Sequence, residues 1–179
     1  MSEPLAFSDT SKRRIAELVS RYPRKHAALI PTLYIAQSEF GYLKPEVMEL
    51  VAAELEIPLA SVMATSTFYT MLHKKPVGKY HVQICGNVSC YLRGCDDLIA
   101  TAKKVLGIGL GETTADGLFT LEEVQCLAAC GSAPALQVNK DDHFDVTPEI
   151  LRNMLEKLRD DADAGQKTVS IDVRGGGHA

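Results

Sequence analysis

The chain has no tryptophan, few aromatic residues (6%) and no excess of basic charge: 19 Lys and Arg stand against 23 Asp and Glu, a formal net charge of −4. Phosphate binding needs a basic face, so nucleic acid is excluded as a partner. No apolar run approaches the roughly 18–20 residues of a membrane span, so membrane association has to come through a partner. The N-terminal stretch MSEPLAFSDTSKRR lacks an apolar core behind a basic start and does not read as a secretory signal. No cysteine precedes Cys85. Together these absences point to a reducing compartment, where thiols persist and metal sites are favoured over disulfides. What is present, 46% hydrophobic and 23% charged residues in 179, is the balance of a globular protein with one ordinary domain or two small ones.

Apolar periodicity divides the chain. In residues 1–76 the spacing predicts four helices and no strand. Asp9 or Thr10 caps the first, with Ile15, Leu18, Val19 and Tyr22 on one face and Pro23 as its stop. The second carries Leu29, Leu33, Ala36 and Phe40, with Pro31 in its first turn and Gly41 at its end. Pro45 opens the third, with Val47, Leu50, Val51 and Leu55 inward, and the fourth runs from about Leu59 to Leu72.

From residue 77 the period changes. KYHVQIC alternates as a strand, and a helix follows from about Asp96 to Leu106 with Leu98, Ala102 and Val105 buried. LFTLEEVQ and ALQVN read as two further strands, and Asp141–Asp142 as a hairpin turn into a strand over 143–146. Thr147 and Pro148 open a last helix with Ile150, Leu151, Met154, Leu155 and Leu158 inside. Residues 77–160 thus form a small α/β module, β-α-β-β-β-α or close to it, and 161–179 a polar, mobile tail. A helix on a three- or four-stranded sheet of this size resembles a thioredoxin-like fold.

All five cysteines lie between residues 85 and 130. Cys85 and Cys90 sit in CGNVSC, and Cys126 and Cys130 in CLAAC; each pair begins where an expected strand ends. An iron–sulfur cluster needs thiolates converging from two loops whose backbone N–H groups face the sulfurs, and Gly86, Asn87 and Gly131 supply unhindered backbone. Arg93 is the one cation near either loop, so the site favours the oxidised form and a potential on the order of −300 mV or below is expected. A structural zinc site takes the same ligands, though usually at closer and more equal spacings. Disulfides, inert thiols and a thiol oxidoreductase are weaker readings, the last for want of a Cys-x-x-Cys pair.

The strand KYHVQIC, the pair CGNVSC, the run DGLFTLEEVQCLAAC and the following SAPALQVN, with QSEFGYL and TSTFYTM before them, resemble the 24-kDa [2Fe–2S] subunit family of NADH:quinone oxidoreductase (respiratory complex I) over about residues 12–158. The resemblance implies an N-terminal four-helix domain followed by a thioredoxin-like [2Fe–2S] ferredoxin domain, an α+β or α/β chain. It implies one [2Fe–2S] cluster on Cys85, Cys90, Cys126 and Cys130, with Cys95 a spare thiol, buried or partly so. It also implies a larger partner subunit carrying FMN and the NADH site, single-electron exchange with that flavin, and no complete catalytic site on this chain. The place implied is the cytoplasmic side of the bacterial inner membrane, peripheral through the complex. Equivalent diaphorase subunits of NAD-linked hydrogenases and formate dehydrogenases remain an alternative, as does a zinc-binding interaction module.

The string GIGLG at 107–111 follows a helix rather than a strand and reads as a connector, not a dinucleotide loop. Phe68, Tyr69 and Met71 are either core or an anchor patch for the partner. His26, His81, His143 and His178 lack metal spacing, and His81 reads as a surface or structural residue.

Overall fold

The computed structural model describes residues 5–163. The chain forms two compact units that divide between Val77 and Gly78. The first holds α1 (Asp9–Ser20), α2 (Leu29–Phe40), α3 (Pro45–Leu55) and α4 (Leu59–Phe68), with a single 3-10 turn over Lys25–Ala28. Ile15, Leu33, Val47, Leu55, Val62 and Leu72 close a core from which water is excluded, each contributing on the order of 1.5–3 kcal/mol of burial. The cap of α1 is Ser8, whose hydroxyl accepts from Ser11 N at 3.2 Å, one residue before the expected Asp9 or Thr10. Tyr22 lies past the helix end and is exposed.

Helix α4 stops at Phe68, four residues short of the expected Leu72. The Ser66 and Thr67 hydroxyls bond back to the carbonyls of Met63 and Ala64, a local competition that weakens a helix. Gln37 then captures the chain beyond: its Oε1 accepts from His73 N at 2.6 Å, and its Nε2 donates to Met71 O at 3.1 Å. Leu72 still enters the core from the resulting turn.

The second unit is a four-stranded mixed sheet, order β2-β1-β3-β4, built from β1 (Tyr80–Cys85), β2 (Phe119–Val124), β3 (Leu136–Val138) and β4 (Asp141–His143). The short helix α5 (Val88–Leu92) and α6 (Cys95–Leu106) connect β1 to β2, which run parallel, and α7 (Pro148–Asp163) closes the unit. Strand alternation puts Tyr80, Val82, Ile84, Phe119, Leu121, Leu136 and Val138 on one sheet face. Leu98, Ala102 and Leu106 of α6 and Leu151 and Leu155 of α7, each four residues apart, complete that core. Val105, Met154 and Leu158 pack at its margin, and Ile150, expected inside, is exposed.

The opposite face is polar yet closed around β1, which has neighbours on both sides. Glu122 Oε2 meets His81 Nε2 at 2.9 Å and Gln83 Nε2 at 3.1 Å, and both β1 side chains are buried. His81 is therefore a buried structural residue rather than a surface one; burial pushes its pKa below the ordinary value against the opposing pull of Glu122. The β3–β4 turn falls on Asn139 and Lys140, two residues before the expected Asp141–Asp142, because Val138 pairs with Asp141. Asn139 takes a φ of +59°, and its side chain extends the ladder: Oδ1 accepts from His81 N at 2.9 Å and Nδ2 donates to Lys79 O at 3.1 Å. Helix α7 runs on to Asp163, beyond the expected boundary at 160; the rest of the expected tail, with His178, lies outside the described residues.

Candidate metal centre

Two parallel strands end together, and that brings the cysteines together. Cys85 closes β1 in register with Val124, the last residue of β2. The chain leaves β1 into the 85–90 loop and leaves β2 two residues before Cys126, so both loops start at the same end of the two strands. Asn87 clasps them. Its Oδ1 accepts from Val88 N at 2.9 Å to cap α5, and its Nδ2 donates to Gln125 O at 2.9 Å. Gly86 N donates to Val124 O at 2.9 Å and Cys85 N to Ala135 O at 3.1 Å, which ties in the segment after Cys130. Arg93 Nε reaches Ala133 O at 3.3 Å, on the same segment.

The sulfurs are served by backbone. Burial works to raise the Cys85 thiol, but N–H groups of Asn87 and Leu127 and the thiols of Cys90 and Cys126 outweigh it and hold Cys85 below its ordinary pKa. Burial pushes Cys90 up, with the charge of Cys85 adding to it and the Ala135 N–H opposing. Ala128, at a φ of +57°, donates its N–H to Cys126 Sγ at 3.3 Å. Cys85 thus interacts with both Cys90 and Cys126, while Cys130 opens the 3-10 turn Cys130–Ser132 four residues after Cys126. Cys85 and Cys90 are each 2% exposed; Cys126 and Cys130 are exposed.

Cys95 is the first residue of α6 and is buried. Burial, then the negative charges of Asp96 and Glu123, push its thiol up. Sequence reasoning missed the donors at Leu127, Ala128 and Ala135 and the clasp by Asn87. An Asn directly before a short helix was the available signal for the clasp; the backbone donors have none, since any residue supplies an N–H. Gly131 proves sterically unconstrained, for a Cβ there meets nothing within 4 Å.

The donor set fits a [2Fe–2S] group: soft thiolates from two loops, with N–H dipoles on the sulfurs to carry the net negative charge of a cluster on four thiolates.

The family profile of the thioredoxin-like [2Fe-2S] ferredoxin matches residues 15–159. An NADH-quinone oxidoreductase subunit of Rhizobium meliloti is 40% identical over 163 residues, 91% of this chain and 95% of its own length. The corresponding subunit of the same-named enzyme from Rickettsia bellii is 43% identical over 148 residues, 81% and 89% of the two chains. Among solved structures, NAD+-reducing [NiFe]-hydrogenase in its H2-reduced state superposes with a TM-score of 0.65 at 20% identity, over 74% of this chain and 22% of that one. That likeness extends the agreement in fold to a much longer polypeptide.

Proposed function

Because the chain belongs to the thioredoxin-like [2Fe–2S] ferredoxin family, we propose that Cys85, Cys90, Cys126 and Cys130 hold its cluster. We further propose that it is the electron-transfer subunit of the NADH-oxidising module of an NADH:quinone oxidoreductase. The observation that carries this reading is the meeting of the two cysteine loops at the common end of parallel β1 and β2, with the Ala128 N–H bonded to Cys126 Sγ.

The bound group supplies one-electron chemistry to a two-electron hydride donor's oxidation. Everything else is the work of this chain's residues. Cys85 and Cys90 anchor from the buried side. The N–H groups of Asn87, Leu127, Ala128 and Ala135 offset negative charge on the thiolates. Cys126 and Cys130 present the other side to solvent, which leaves a short path for electrons to a partner. Val88, Tyr91 and Leu92, the last 77% exposed, make an apolar rim on α5 beside them, the kind of surface that docks a partner.

The partner in this reading is the larger subunit that carries FMN and binds NADH, so hydride chemistry happens there and this chain has no complete catalytic site of its own. The helical unit adds a second docking surface. Phe68, 78% exposed, is surface rather than core, and Met63 and Met71 are exposed near it in sequence. No helix among the described residues is long and apolar enough to cross a membrane; we place the chain at the cytoplasmic face of the bacterial inner membrane, held there by its complex. Relatives named as quinone oxidoreductase subunits match over most of their length, which favours complex I over a hydrogenase or formate dehydrogenase assembly.

Metal and acid-labile sulfide analysis of the purified chain tests the reading. Two irons and two sulfides per chain, with an EPR signal on reduction, are expected. One zinc per chain and a colourless protein would overturn it.

A further inference from the structure

Neighbouring carboxylates on β2 point to opposite faces of the sheet. Glu122 is engaged by His81 and Gln83. Glu123, in register with Ile84, turns toward the first cysteine loop. A Cβ built on Gly86 would stand 2.2 Å from Glu123 Oε1 and 3.0 Å from its carboxyl carbon, so the carboxylate lies over the α-carbon of the residue that follows Cys85. Gly86 cannot swing away, because its N–H is held by the Val124 carbonyl at 2.9 Å. The one cation of the loop region, Arg93, is turned to the Ala133 carbonyl. Glu123 also acts electrostatically on Cys95, which places its charge within range of a second thiol on that side of the site.

A cluster on four thiolates is already anionic, and reduction adds one more negative charge. A carboxylate lying over the backbone next to Cys85 makes that added charge costlier. We propose that Glu123 sets the reduction potential of the cluster, its carboxylate holding the couple toward the oxidised form. The proposal rests on the ligand assignment above and goes beyond it: it gives this chain a tuning residue that is not a ligand.

EPR-monitored redox titration of the full chain, with iron and sulfide counted in every sample, tests it. At an effective dielectric between that of protein surface and water, removing the charge in Glu123→Gln raises the reduced-to-oxidised ratio at fixed potential about three- to tenfold, a midpoint rise of about 30–60 mV at 59 mV per decade. Glu123→Lys raises it further and Glu123→Asp keeps most of the wild-type value. Glu122→Gln, on the other face, leaves the midpoint in place, and added salt narrows the gap between wild type and Glu123→Gln. Midpoints that do not follow charge across the three Glu123 variants, or an equal rise in Glu122→Gln, overturn the proposal while the cluster is present. A wild-type chain without two irons overturns instead the ligand assignment on which it rests.

Discussion

The two cysteine loops are built differently, although the proposed ligand assignment has them serve one site. The 85–90 loop leaves a central strand and returns through α5; both of its sulfurs are buried, and its backbone is tied to Val124 and Ala135. The 126–130 loop leaves a strand at one end of the sheet order, holds Ala128 at positive φ, and exposes both of its cysteines. The first loop is shaped by the fold. The second is braced locally, by the Ala128 N–H on Cys126 Sγ. On the proposed ligand assignment, the difference gives the buried pair to anchoring and the exposed pair to exchange.

Serine substitutions test that division most strongly. Cys85→Ser and Cys90→Ser are expected to abolish cluster content, because a buried hydroxyl in a pocket of N–H donors is a poor replacement for a thiolate. Cys126→Ser and Cys130→Ser are expected to retain a labile cluster with an altered EPR spectrum. Equal iron loss at all four positions breaks the comparison. Beneath the buried pair, Leu98→Ala opens a cavity in the α6 core and costs about 2–5 kcal/mol in denaturant unfolding. Asn87→Ala removes both the cap and the clasp between the loops, costs about 1–2 kcal/mol, and speeds cluster loss to chelator.

A smaller effect comes from His81, on the sheet face behind the loops. Its folded pKa is depressed by burial, so the unfolded chain takes up the proton first. The stability it contributes is fully present above the ordinary value, about 6.5, and is lost as pH falls through that value toward the folded one. His81→Gln is expected to flatten that limb of the stability-against-pH curve; an unchanged slope removes His81 as its source. The smallest effect on stability is at the rim. Leu92→Ser changes unfolding by under about 0.5 kcal/mol and weakens assembly with the proposed flavin-carrying partner, measured by co-purification of the complex; unaltered assembly removes α5 from the docking surface.

Much of this was legible in sequence for a physical reason. Long helices and the strands of a half-buried sheet write their period into the chain, so α2, α3, β1 and β2 stand within a residue or two of where Leu33, Val47, Val82 and Leu121 place them. Where side chains bond to backbone at a distance, the pattern is silent. Gln37 fixes the turn beyond α4 from more than 30 residues away, and Asn139 moves the last hairpin by bonding to β1. The cysteine spacing announced two loops, but only the parallel register of β1 and β2 explains why they meet. Alternation marks His81 as outward, a surface or a structural residue, and nothing local reveals that Glu122 and its central strand enclose it.

Anomalous diffraction at the iron edge from crystals of the cluster-loaded chain tests the central claim most directly. Two iron sites are expected between the loops, one bonded to each of two pairs drawn from Cys85, Cys90, Cys126 and Cys130, with Cys95 outside the coordination sphere. A single metal site among those sulfurs, or Cys95 in place of any of the four, contradicts the account.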